Sequence, residues 1–231
     1  MVDVQAVMRA MSQSAEMESG QLDEQARKPV ITISRTIGSG GEEIAHELAK
    51  RLGVKCYGSL ILDSIAKQGK VNNKTMTLLH EKHSKSSTAW LYSMLSGRNV
   101  KKDDYLHFLE VTIRWLYHKG GVILGRGGNL VLTGRDVLRV RIAGSVETCA
   151  KRIAMQDRTS LAEAKKKVRE SNKDRGELIW KMFRKRLNDP LHFDLTINTD
   201  HFSDYSHVTD IIVQALESMG LDKPQTKAAK K

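Results

Sequence analysis

Residues Val30 to Gly53 read VITISRTIGSGGEEIAHELAKRLG. Apolar and β-branched residues run up to Ser34, the pattern of a short buried strand. Beyond the turn, Ile44, Leu48, Ala49 and Leu52 recur at helical spacing, and Gly53 stands where a helix stops. A strand, a Gly/Ser-rich turn and a helix together present backbone N–H groups and a helix N-terminus to a phosphate. The glycines let the backbone approach closely and take positive φ. Gly38, Ser39, Gly40 and Gly41 are therefore the candidate phosphate cradle.

This turn departs from the usual phosphate loop, G-x-x-x-x-G-K-[ST]. With Gly40 as the second glycine, Arg35 occupies the first glycine position and Gly41 the lysine position. Glu42 or Glu43 falls where a Mg²⁺-binding hydroxyl is usual. Both carboxylates also suit the first turn of any helix, because the macrodipole favours negative charge there.

With 231 residues the chain is long enough for one domain with elaborations and a sizeable core. No apolar run approaches the length of a membrane span, and the N-terminus shows no secretion signal, so a cytoplasmic protein is expected. Cys56 and Cys149 are far apart and read as buried free thiols. The net charge of +11 fits either a solvated basic surface or an anionic ligand, nucleotide phosphate or nucleic acid. No basic stretch is interleaved with aromatics, and aromatics make up only 5% of the chain, which argues against a nucleic-acid stacking platform.

Residues 1–28 read as an amphipathic helix and linker, an appendage that could serve as an oligomer contact. Residues 29–220 form the domain and 221–231 a disordered basic tail. Val54 to Tyr57 reads as a second strand. Helices are expected from Leu60 to about Gly69 and over much of 73–119, where Leu106, Leu109, Ile113 and Leu116 share a face. His80 and His83 do not have metal-site spacing, and no metal-ligating set is expected. Gly120 to Gly125 is the third strand, ending in Arg126-Gly127-Gly128-Asn129. Val137 to Ile142 is the fourth, with Arg139 and Arg141 alternating along it.

Ser145 reads as an N-cap. A basic helix pair then spans Ser160 to about Arg186, interrupted at Asn172–Gly176 and ended by Asn188-Asp189-Pro190. Asp194 to Asn198 is the last strand. The final helix turns Val208, Ile211, Ile212, Ala215 and Leu216 inward. Strands alternating with helices predict a parallel sheet covered on both faces. Ligands in such sheets sit at the carboxyl ends of the strands. That places the Gly turn, Arg126 and the loop after Asn198 on one rim.

These pieces, in this order and spacing, resemble the cytidylate kinase-like family of nucleoside monophosphate kinases. They are ITISRTIGSGGEEIAHELAKRLG, VILGRGGN, VLRVRIAGSVETCAKRI, NKDR and DLTINT, and the resemblance covers about residues 30–218. It implies a P-loop NTPase-like three-layer α/β/α sandwich with a five-stranded parallel sheet. It also implies a helical monophosphate-binding insertion, 59–119, and a basic helical lid, 158–186. ATP and Mg²⁺ are the implied cofactors, and CMP or dCMP the implied acceptor. Arg126 matches the family arginine that grips the monophosphate, Lys173 and Arg175 match the lid cations, and Thr199 and Asp200 fall where the last loop meets adenine.

Leu124 replaces the family's acid at the end of the third strand, Gly58 an acid at the second-strand turn, and Asn172 an Asp in the lid motif. The residues thus support two readings. One is an ATP-dependent nucleoside monophosphate kinase in which Arg35 supplies the absent lysine's charge, aided by Arg126, Lys173 and Arg175. The other is a nucleotide- or phosphate-binding protein of the same fold without turnover.

Overall fold

The computed structural model describes residues 28–58 and 102–222. The expectations for the N-terminal helix, for residues 59–101 and for the tail lie outside the described residues.

The first unit forms as its pattern predicts. Strand β1 is Val30–Arg35, and helix α1 is Gly41–Arg51. Strand β2 is reduced to Cys56–Tyr57. Helix α2, Lys102–Lys119, leads into β3, Gly121–Leu124. A short helix, α3, Gly128–Val131, follows β3, where only a turn was expected. Strand β4 is Leu138–Ala143 and helix α4 is Val146–Asp157. Helix α5 is Leu161–Phe183, strand β5 Leu195–Asn198 and helix α6 Ser206–Ser218.

All five strands are parallel, in the order β2-β3-β1-β4-β5. β1 lies at the centre, so its carboxyl end is flanked by the ends of β3 and β4. One sheet face is apolar: Ile31, Ile33, Val122, Leu124, Val140 and Ile142 pack with Ile44 and Leu48 of α1 and with Val208, Ile212 and Leu216 of α6. Ile211, expected to face inward, is 38% exposed, because it lies just off that stripe. On the opposite face Ile123, with Val30 and Val137 beside it, packs with Leu109, Ile113 and Leu116 of α2 and Leu178 and Met182 of α5. The same face also carries polar residues at its centre: Thr32 and Ser34 on β1, Arg139 and Arg141 on β4.

Helix starts follow their caps. Ser145 accepts from the Thr148 N–H, and Ser160 with Glu163 forms a complete capping box. The basic region is not a helix pair. It is one unbroken helix of 23 residues, which ends at Arg184 in a left-handed conformation, before Asn188-Asp189-Pro190. The interior Gly176 costs about 1 kcal/mol of helix propensity. Burial at both ends outweighs that cost: Ala164 and Val168 pack on α4, and Leu178, Ile179 and Met182 are buried beyond Gly176. Cys149 is buried and Cys56 only half-buried; both are free thiols.

Candidate active site

The Gly turn is braced from within. Ser39 is fully buried, and its hydroxyl donates to the Thr36 carbonyl at 2.8 Å and the Ile142 carbonyl at 3.3 Å. Thr199, also fully buried, donates from Oγ1 to the Ser39 carbonyl at 2.9 Å. Gly38 and Gly40 take φ of 77° and 74°, and no side chain caps the α1 N-terminus. The turn is thus held by side chains beneath it, and the start of α1 is left to its backbone N–H groups.

Two aromatic and cationic side chains not singled out in the sequence stand over this turn. Tyr205 lies against Gly40, where a Cβ would come within 2.1 Å of the ring Cζ. Arg152 of α4 sits over the Tyr205 ring, 5.5 Å from its centroid. It also donates to the Gly38 carbonyl, to Thr199 Oγ1 at 3.1 Å and to the Thr199 carbonyl at 2.6 Å. A cleft of ≈ 540 Å³ is lined by Gly38, Gly40 and Glu43 together with Arg152, Met155, Gln156 and Tyr205. Asp200, on the same loop, accepts from the Ser145 N–H at 2.8 Å, and that bond helps hold its carboxyl below the usual range. Thr199 therefore braces the turn and Arg152, Asp200 braces the start of α4, and neither lines the cleft itself.

The second group of site residues is a cluster of arginines around the end of β1. Arg35 leaves the strand with its stem against Gly41 and its Nη1 against Gly125. Arg126 follows Gly125 and adopts a left-handed φ of 56° between two left-handed glycines. An L-residue there costs roughly 1–2 kcal/mol, the kind of strain that persists at functional sites. Arg175, on α5, donates to the Arg35 carbonyl at 3.0 Å. Arg141, 8% exposed, donates to Ser34 Oγ and to Asn188 Oδ1, each at 2.8 Å.

These cations act on one another. Burial, then Arg35, Arg126 and Arg141, push the Arg175 guanidinium down to about 9, while Glu42 pulls it back up. Burial lowers Arg35 too; Glu42 raises it and Arg126 lowers it further. Four guanidinium groups thus gather at this strand end, with Glu42 acting on Arg35 and Arg175, an arrangement suited to a polyanion.

Lys173 is not part of this cluster. Two residues before Arg175 on a helix, it projects to another side, is exposed, and lies 3.9 Å from Glu177. Arg141, Arg152 and Tyr205 are the additions that sequence reasoning missed. An arginine inside an apolar strand was the available signal for Arg141. Tyr205 carried none, because its role depends on the contact with Gly40.

The cytidylate kinase-like family model matches residues 30–201, well over half of the chain. The chain belongs to the cytidylate kinase-like family. None of the curated proteins matches it in sequence. Among solved structures, an uncharacterized protein from Eubacterium ventriosum matches with a TM-score of 0.61 at 20% identity, covering 83% of this chain and 99% of that one. A shikimate kinase from Acinetobacter baumannii, solved with shikimate, has a TM-score of 0.48 at 17% identity over 84% and 95% of the two chains. For a cytidylate kinase-like chain, the Gly turn and the arginine cluster are the two halves of a candidate active site on the strand-end rim.

Among the described residues, no group of three or more His, Cys, Asp and Glu side chains could hold a metal ion. None of their helices is long and apolar enough to cross a membrane.

Proposed function

We propose that this chain transfers the terminal phosphoryl group of ATP to a nucleoside monophosphate, with CMP or dCMP the acceptor that its family implies. The observation that supports this reading best is the convergence of Arg35, Arg126, Arg141 and Arg175 beside the Gly turn. Phosphoryl transfer asks for positioning and charge neutralisation more than covalent chemistry. An acceptor phosphate oxygen forms the new P–O bond, the bond to the bridging oxygen of ATP breaks, and ADP carries away the electron pair. The acceptor is already ionised near neutral pH, so no general base is required.

Gly38 to Gly41 would hold the ATP phosphates through backbone N–H groups. The cleft beside Tyr205 and Arg152, with Thr199 bracing Arg152 and Asp200 the start of α4, would take the adenosine part. Arg126 would grip the acceptor phosphate, and Arg35 and Arg175 the group in transit. Lys173 would contribute only through solvent. The residues present fit ATP at an uncapped, glycine-lined helix start. They fit Mg²⁺ as an ion carried by the nucleotide, with Glu42 and Glu43 the carboxylates at the loop. Mg²⁺ bound there would neutralise charge on the terminal phosphates.

Residues 158–186 would act as the lid. Because α5 is anchored at both ends, we expect it to tighten on the ligand rather than swing. Amide exchange across 171–177 should slow when ATP and a monophosphate are added together.

The deciding experiment supplies ATP, Mg²⁺ and each nucleoside monophosphate in turn and measures the diphosphate formed. Turnover with a pyrimidine monophosphate supports the kinase reading. ATP binding without any diphosphate supports the second reading, a nucleotide- or phosphate-binding protein without turnover.

A further inference from the structure

Positions 35 and 41 are coupled by space. A Cβ placed on Gly41 would lie 2.6 Å from Cβ of Arg35, 3.1 Å from its Cγ and 3.3 Å from Cβ of Ile142. Neither Cβ could yield by rotation. Arg35 is fixed in the β1–β4 ladder opposite Ile142, and Gly41 in the first turn of α1. Gly41 is not among the glycines with positive φ, so glycine is not needed there for conformation. Space alone requires it. At the other end of the same side chain, a Cβ on Gly125 would lie 2.6 Å from Arg35 Nη1. Arg35 therefore runs between two glycines, its stem against Gly41 and its head against Gly125.

A phosphate loop ordinarily takes its cation from the position held here by Gly41. We propose that Arg35 and Gly41 are an exchanged pair. The phosphate-binding cation enters from the end of β1, and position 41 must remain glycine to let its stem pass. A side chain at 41 and the arginine at 35 exclude each other. The charge half of this inference rests on the reading of the Gly turn as the ATP phosphate site. The steric half rests on geometry alone.

Melting temperatures of the full chain test the steric half. Gly41→Ala should lower the melting temperature of the wild type by about 4 °C or more through crowding. In Arg35→Gly the same change should cost about 1 °C or less, since alanine is otherwise the better helix residue. In Arg35→Ala, which keeps the Cβ, Gly41→Ala should remain as costly as in the wild type. That third background also serves if Arg35→Gly fails to fold. An equal loss in the wild type and in Arg35→Gly, or no loss in Arg35→Ala, overturns the pairing.

Calorimetry with Mg²⁺ and ATP tests the charge half. Arg35→Gly should weaken ATP at least tenfold. Adding Gly41→Lys to it should recover affinity to within about threefold of the wild type, whereas Gly41→Lys alone should not tighten binding. A double variant no better than Arg35→Gly overturns the exchange. A wild type that binds no ATP instead overturns the proposed function, and the melting cycle still decides the steric pairing.

Discussion

Two glycine turns end adjacent parallel strands in this molecule, and they differ in what they offer a ligand. The first follows β1 and the second follows β3. Each ends in a left-handed glycine at a helix N-cap, Gly40 at 74° and Gly127 at 71°. Each of those glycines lies against an aromatic ring, Tyr205 at the first turn and Phe183 at the second. The first turn, Thr36 to Gly40, carries no charged side chain and is held by Ser39, Thr199 and Arg152. The second carries Arg126 at its centre in a strained backbone conformation. The first therefore offers peptide N–H groups at fixed positions, the second a guanidinium. In the proposed function the first would line the donor phosphates with backbone N–H groups, beside the Arg35 cation, and the second would bring Arg126 to the acceptor phosphate.

The largest effect should come from filling the first turn. Gly40→Val places a branched side chain at positive φ and into the Tyr205 ring. We expect ATP binding to vanish and the melting temperature to fall by several degrees, read by calorimetry and thermal denaturation. Normal ATP affinity in this folded variant would show that the first turn is not the donor site.

The second turn should respond in the opposite sense. Arg126→Gly removes a left-handed arginine, so the melting temperature should hold or rise. Acceptor affinity should nevertheless fall about tenfold to a hundredfold, the worth of a charge-assisted contact of roughly 1.5–3 kcal/mol. A clear loss of stability with unchanged acceptor affinity would make Arg126 a structural residue and erase the contrast between the turns.

Arg175 probes the cluster that joins them. Its proton is held less tightly in the folded chain, near 9, than in the unfolded one, whose arginines keep their ordinary, much higher value. The unfolded state thus binds more protons between those values, so this group's contribution to stability rises as pH increases from about 9. Below that, the folded chain bears the full cost of the charge. Arg175→Met should therefore melt no lower than the wild type at pH 7. It should lose most of the stabilisation that millimolar phosphate gives the wild type, and in the wild type that stabilisation should weaken above pH 9. Melting curves across pH, with and without phosphate, measure all three; a destabilised Arg175→Met that still responds to phosphate contradicts them.

The smallest change belongs to Lys173→Ala. Its ammonium is exposed and lies beside Glu177, a pair worth about 0–1 kcal/mol. Turnover should stay within about twofold of the wild type, and a tenfold loss would mean that α5 rotates in the working complex.

Secondary structure was largely legible because its signals are local. Apolar alternation, the helical stripe Ile44–Leu48, and the caps Ser145 and Ser160 each act within a few residues. α5 escaped that reading because the burial that keeps it whole comes from two separate clusters, which outweigh the local cost of Gly176. The same division runs through the site. Gly38–Gly41 and Arg126 could be picked out because turn chemistry marks them in the chain itself. Arg152 could not, and Arg141 showed only as an arginine within an apolar strand, since nothing near either residue says which charges or carbonyls it meets. Their partners, Ser34 and Asn188 for one, Gly38 and Thr199 for the other, arrive through the strand order that sets β1 between β3 and β4 and β5 beyond. Tyr205 reaches Gly40 for the same reason. The chain alone encodes a strand, a glycine turn and a helix. The convergence of four arginines on one strand end, and the ring over the turn, exist only once parallel strands distant in sequence are packed edge to edge.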